Sequence, residues 1–458
     1  MKKLLSVFMS FVIISLTVFC VPFTAKAATY TPNVKIYADA YMLISLDDDS
    51  YPVVAQKNQN KRKFPASLTK IVTTMVTLEN VKDLSAKTKV SKRAIESLYG
   101  TDAQVAGLKI GDTVTIEQLL YLTMVHSACD ACQVLAEYVG GSVSGFADMM
   151  NKWAAAVGAK STHFVNPDGL HNDDHYTTAS DMAKITLAAM KNDTFNKISS
   201  TKQYKYKNYT FTHSNYMMDK FHTTYYYEYA QGIKTGSTDQ AGYCVITKAS
   251  KNGYNYLAIV MDSPMRKLDG IDTKYSFMDA KALFEWAFDY LKYSTVIRQN
   301  DVVSEVPVES GKDADTVQLV AAKDVTTLVP SALDPSNVVI EPVNQPKQLE
   351  APVTKGDKIC TANIVYAGQT VATVDLVAAQ TVELSTVLKI MNTLKKFFTN
   401  KIVIFIFFLI ILGALLYVIM FIVRLEKDKK RIAEKRRKQE ELDRRMYGED
   451  DFLPPPKR

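Results

Sequence analysis

Two serines in this chain stand three residues before a lysine. They are Ser67 in Phe64-Pro-Ala-Ser-Leu-Thr-Lys70 and Ser199 in Ser199-Ser-Thr-Lys202. Residues three apart share a helix face, so the hydroxyl and the amine can meet, and a nearby amine can activate a serine as a nucleophile. A chain of this length holds roughly two such spacings by chance, so the surroundings must decide. After Lys70 comes an apolar run, Ile71 to Val76, as expected of a buried helix whose N-terminal N–H groups favour an oxyanion. The second copy sits among Lys, Asn, Thr and Tyr and reads as loop.

Two further groups carry chemistry. Lys234-Thr-Gly-Ser237 lies on a strand-like run followed by a hairpin; Lys-Thr-Gly by chance has roughly one chance in ten here. Gly236 lets a substrate backbone approach closely. Thr235 and Ser237 offer hydroxyls to a substrate carboxylate. Lys234 adds positive charge, which also disfavours a second charge on a neighbouring lysine. His126-Ser-Ala-Cys-Asp130 falls between two helices, where Ser127 can pass a proton between Lys70 and a leaving amine.

The elements that must position these groups read as α+β. Tyr41–Leu46 and Tyr51–Ala55 are strands around an Asp-rich turn. From Ser91 to Val139 the pattern is mostly helical, and Thr178 to Asp181 open another helix that runs to Met190. Residues 191–229 are polar and tyrosine-rich. Three strands follow: Gln231–Thr238, Gly242–Ala249 and Tyr254–Asp262. The helix expected from Phe277 to about Leu291 has a 3.6-residue apolar period. This gives a domain over 28–297, with a helix cluster enclosed by strands from both ends. Short Val-rich runs over 298–383 read as a small all-β sandwich.

The chain has 458 residues and a net charge of +7. The excess base lies at the C-terminus, so nucleic acid is not indicated. Residues 1–27 read as a signal peptide, with Lys2-Lys3, an apolar run and Ala25-Lys-Ala27. Ile402–Val423 is uncharged and long enough to span a bilayer. Residues 384–401 form a juxtamembrane linker, and 424–458 a basic tail placed in the cytoplasm by the positive-inside rule. The expected site is therefore extracellular, anchored to membrane lipid by one C-terminal helix. Cys129, Cys132, Cys244 and Cys360 remain after the signal; Cys129 and Cys132, one turn apart, read as packed thiols ahead of a redox pair.

Pro65-Ala-Ser-Leu-Thr-Lys70, Ser127-Ala-Cys129 and Lys234-Thr-Gly236 occur in the order of the penicillin-recognising serine enzymes. Within them the chain resembles the low-molecular-weight penicillin-binding proteins that are D-alanyl-D-alanine carboxypeptidases (peptidase family S11). Phe164-Val-Asn-Pro-Asp-Gly-Leu170, Thr178-Ala-Ser-Asp181 and Ala241-Gly-Tyr-Cys244 support this. The resemblance implies a transpeptidase-like catalytic domain that acts on peptidoglycan stem peptides and is acylated by β-lactam antibiotics. It needs neither cofactor nor metal. Ser67 is then the nucleophile, Lys70 the general base, kept neutral by burial and Lys234, and Ser127 the proton shuttle. Lys234, Thr235, Gly236, Ser237 and Cys129 bind substrate.

Cys129 departs from the family, which mostly has Asn there. A thiol is a weak donor and a weak acceptor, so retuned or reduced activity is expected. Two rivals remain: a class A-like β-lactamase, for which no Glu-x-x-Leu-Asn segment lies between Ser127 and Lys234, and a peptidoglycan-binding protein weakened at Cys129. His171 and His175 with Asp168, Asp173 and Asp174 read as solvated loop ahead of a metal site, and Tyr225–Tyr227 as cleft lining or core cover.

Overall fold

The computed structural model describes residues 29–334 and 337–447. The expected signal segment and the last residues of the tail lie outside them. By packing, the described chain falls into two units. The first holds residues up to 301 with 321–344 and 360–376; the second holds 302–320, 345–359 and the chain from 377 on.

The first unit is built on a five-stranded antiparallel sheet. Its strands are β1 (Ala40–Ser45), β2 (Val53–Lys57), β3 (Ala230–Thr238), β4 (Gly242–Lys251) and β5 (Tyr254–Ser263), in the order β2-β1-β5-β4-β3. Both faces are covered, which is why Tyr256 to Met261 reads as a continuous apolar run. Successive side chains alternate: Leu257, Ile259 and Met261 enter one core, while Tyr256, Ala258 and Val260 enter the other. Fully burying one such aliphatic side chain contributes about 1.5–3 kcal/mol.

The helices on the first face are α1 (Lys70–Asn80), α2 (Ile116–Val125), α3 (Cys129–Gly140), α4 (Val143–Ala156) and α5 (Ala179–Ala189). Every residue of α1 from Lys70 to Thr77 is buried, so it is the central helix of the cluster. Helix α2 starts on a capping box, with Thr115 and Gln118 each bonding the other's backbone. Such a cap contributes about 1 kcal/mol. On the second face lies α6 (Tyr275–Tyr290), which buries Phe277, Ala280, Leu283, Phe284 and Ala287 as its period requires.

Two sequence expectations need correction. Residues 97–112 are not helical: this loop hangs on the buried Asp130 carboxylate, which accepts from Ala106 N and Leu108 N at 2.9 and 3.0 Å. The second lies in the polar stretch 191–229, where the sequence around Ser199 reads as loop. That stretch holds a helix, Asp193–Ser199, and a hairpin of Gln203–Tyr206 with Tyr209–Thr212. The asparagine cap at Asn192 was its one local signal.

Later in the first unit, Leu291–Ile297 pairs antiparallel with Val325–Pro330, and Val338–Val343 pairs with Lys358–Tyr366. In the second unit Val302–Glu309 pairs with Thr316–Ala321 and with Leu349–Glu350. There α7 (Thr386–Thr399) is amphipathic, with Leu394, Phe397 and Phe398 among its exposed apolar residues, and Lys396 bonds Glu309 at 2.7 Å. It leads into α8 (Lys401–Tyr447), whose first half is apolar with none of it buried. Among the described residues this is the one helix long and apolar enough to cross a membrane.

Candidate active site

Ser67 lies in the first unit, within a 3-10 turn, Ala66–Thr69, that runs directly into α1. The sequence reading put it in the first turn of the α-helix itself. The tighter turn matters, because in 3-10 geometry residues i and i+3 eclipse. Lys70 Nζ therefore lies 2.8 Å from Ser67 Oγ. Lys70 is wholly buried and also donates to the carbonyl of Asp168, with Cys129 Sγ at 3.5 Å. At the second Ser-x-x-Lys, Lys202 is exposed and Ser199 closes a short helix rather than sitting in loop.

The Ser67 turn is clamped from both sides. Gly169 (φ +84°) packs so closely that a Cβ there would stand 1.9 Å from Ala66 O and 3.0 Å from Ser67 N. Gly236 packs from the other side, where a Cβ would stand 2.9 Å from both Pro65 O and Ser67 N. The loop carrying Gly169 is set by Asn166, whose side chain accepts from Gly169 N and donates to Leu170 O. The Asp168 carboxylate accepts from Gln133 Nε2 at 2.6 Å. Behind the turn, His175 Nδ1 accepts from Val165 N at 3.1 Å, so its Nε2 carries the proton toward Thr69 Oγ1 at 2.8 Å. Thr69 in turn donates to Ala66 O. Burial first, then the nearby imidazoles and Lys70, hold His175 down to about 3.

The Lys234 strand is β3, at the edge of the sheet. Its register sets Gly236 opposite Cys244 and Ser237 opposite Tyr243. Lys234 is wholly buried and donates to the Thr235 carbonyl at 2.9 Å. Thr235 is partly exposed and Ser237 exposed. Ser127 sits between α2 and α3 in the left-handed region (φ 63°) and is buried; its hydroxyl makes no hydrogen bond among the described residues. Cys129 and Cys132 are free, buried thiols, and Cys132 Sγ donates to Ala128 O at 3.2 Å.

The two buried lysines divide their charge against expectation. Burial, then the charge of Lys70, puts Lys234 well below the ordinary lysine value. Burial also pulls Lys70 down, but Cys129, Cys132 and the Asp168 carboxylate pull it up and outweigh it. The sulfur share of that pull exists only when a thiol has ionised, and burial pushes both thiols up. At neutral pH Asp168 and the ring of acceptors around Nζ remain, so of the two amines Lys70 holds a proton better.

Other expected groups fall away from this cluster. His171 pairs with Asp173 at 3.4 Å on the surface. Among the described residues no group of His, Cys, Asp and Glu is placed to hold a metal ion. Tyr225 packs on Phe277 and Tyr227 stacks on Phe284, so they cover the α6 core. Three contributors were not picked out as site residues: the Asp168 carbonyl, the His175–Thr69 pair, and Ser214, whose Oγ lies 2.7 Å from Thr235 Oγ1. Of these only the Asn-Pro-Asp-Gly turn around Asp168 left a local signal.

Residues 25–265 match the model of the D-alanyl-D-alanine carboxypeptidase family, Peptidase S11, and residues 291–384 that of the penicillin-binding protein 5 C-terminal domain. The chain is 29% identical to the D-alanyl-D-alanine carboxypeptidase DacA of Escherichia coli, over 80% of this chain and 90% of the relative. It is 36% identical to a D-alanyl-D-alanine carboxypeptidase of Streptomyces sp., over 46% of this chain and 78% of the relative. Among solved structures, penicillin binding protein 5 from Haemophilus influenzae aligns with a TM-score of 0.57 at 26% identity, covering 77% of this chain and 99% of that one.

Proposed function

The chain belongs to the D-alanyl-D-alanine carboxypeptidase family of serine peptidases, and from that premise we propose that it removes the terminal D-alanine from peptidoglycan stem pentapeptides through an acyl-enzyme on Ser67. The observation that carries this reading is the 2.8 Å contact between Ser67 Oγ and a wholly buried amine, Lys70.

Lys70 is the general base and takes the Ser67 proton as the hydroxyl attacks the carbonyl between the two D-alanines. The N–H groups of Ser67 and Ser237 receive the oxyanion. Gly236 lets the substrate lie against β3, with Cys129 on the acyl side. Ser127 hands a proton to the departing D-alanine amine. Lys234, Thr235 and Ser237 form the side that meets its carboxylate. A carboxylate arriving there favours the ammonium of Lys234 and draws the resting proton away from Lys70, leaving a free amine beside Ser67. Water then hydrolyses the ester, and β-lactams acylate the same serine.

Residues 28–297 form the catalytic domain, 298–383 the β-module and 384–401 the juxtamembrane linker. Residues 402–423 cross the membrane. The nine Lys and Arg between Arg424 and Lys438 hold the tail in the cytoplasm and the site outside.

The test is release of D-alanine from a pentapeptide by the full chain in detergent, beside Ser67→Ala. Release by the wild type alone supports the reading. Neither release nor penicillin labelling by the wild type would favour a peptidoglycan-binding protein without turnover, and fast penicillin turnover a β-lactamase.

A further inference from the structure

Ser214 lies in the tyrosine-rich stretch before β3, outside every motif. Its place is fixed by backbone contacts on both sides. Its own N–H donates to Val125 O at 3.0 Å, at the end of α2 and two residues before Ser127. The next residue, Asn215, is fully buried and its side-chain amide donates to Gly232 O and to Thr247 Oγ1 at 3.1 Å.

The hydroxyl inventory at Ser214 is specific. A serine oxygen accepts twice and donates once. Ser214 Oγ accepts from Thr235 Oγ1 at 2.7 Å and, at longer range, from Lys234 Nζ at 3.5 Å. Both acceptor positions are thus in use, and Thr235 spends its one hydroxyl proton inward. The hydrogen left for an outside acceptor is the one on Ser214, which is partly exposed. Lys234 is wholly buried and gives its other bond to the Thr235 carbonyl. Once an arriving carboxylate favours its ammonium form, its charge reaches the cleft through these two hydroxyls.

We propose that Ser214 is a substrate-binding residue whose hydroxyl donates to the terminal carboxylate of the peptide, polarised from behind by Lys234 and Thr235. This rests on the reading of Ser67 as the acylated serine. Thr235 then acts on the carboxylate through Ser214, and the preference for a free C-terminus depends on a residue outside the Lys-Thr-Gly pattern.

The test compares two substrates, an acyl-D-alanyl-D-alanine peptide and its C-terminal amide, in the full chain. Ser214→Ala loses about 10- to 100-fold in kcat/KM on the acid, chiefly through KM, and several-fold less than that on the amide, whose carbonyl accepts only a neutral hydrogen bond. Ser214→Thr restores the acid rate. Ser214→Cys, which keeps the shape and weakens the donor, gives a loss greater on the acid than on the amide even where the alanine variant folds poorly. Equal losses on acid and amide, or no loss on the acid, would overturn the proposal while leaving Ser67 untouched. A wild type that releases no D-alanine and takes no penicillin label at Ser67 would overturn both.

Discussion

At the scale of single residues, Cys129 is where this carboxypeptidase departs from its family's pattern. Its thiol is neutral, buried and 3.5 Å from Lys70 Nζ. An amide in its place can donate to the acyl-side carbonyl and accept from the lysine. Cys129→Asn is therefore expected to raise kcat/KM for acylation about 10- to 100-fold, the span of one charge-assisted hydrogen bond; stopped-flow acylation by penicillin measures it. Acylation needs the neutral form of Lys70, the buried amine that holds its proton better than Lys234 does, so kcat/KM should climb with pH on the alkaline side. A rate that falls between neutral and alkaline pH contradicts Lys70 as base. His175 supplies a stability test. Its folded pKa of about 3 lies below the usual 6.5, so in this range the unfolded chain binds a proton that the folded one refuses. Stability is full above pH 6.5 and falls by up to about 1.4 kcal/mol per unit below it. In urea melts, His175→Gln should flatten that acid slope. The contact between Ser67 and Lys70 was legible from residue types and spacing, as was the strand that carries Lys234. His175 and Ser214 were not, because they act through contacts 106 and 21 residues away in sequence. Which lysine holds the proton was also hidden, since it depends on acceptors brought by the Asp168 loop.

At the scale of elements, the site is a 3-10 turn held between a loop and a strand edge. Both neighbours meet it with a glycine. Gly236→Ala would press a methyl against Ser67 N and Pro65 O. Because that N–H is proposed for the oxyanion, kcat should fall by about 100-fold or more, and displacing these backbone atoms should also cost about 1–3 kcal/mol of stability. Gly169→Ala is a different case. Its left-handed backbone and a contact of 1.9 Å with Ala66 O leave the methyl no room, and the fold should lose about 2–4 kcal/mol in a denaturant titration. The sheet was legible from apolar runs bounded by turns, and α6 from a 3.6-residue period that survives burial. The 97–112 loop was misread because its apolar residues mimic a helix, whereas Gly100, Gly107 and Gly111 all adopt positive φ.

At the scale of the whole molecule, the apolar first half of α8 and the amphipathic α7 before it predict how the protein partitions. The full chain should pellet with membranes. A chain ending at Leu384 should stay in solution and still release D-alanine from a soluble peptide. Recovery of that truncated chain in the membrane fraction would show that another surface holds it. A long apolar run made the C-terminal helix readable.

Mass analysis of the peptide containing Ser67 after incubation of the full chain with benzylpenicillin tests the central claim most directly. One penicilloyl group on Ser67, absent from Ser67→Ala and retained in Ser199→Ala, is the predicted result. An adduct on any other residue, or undiminished labelling of Ser67→Ala, would contradict Ser67 as the nucleophile.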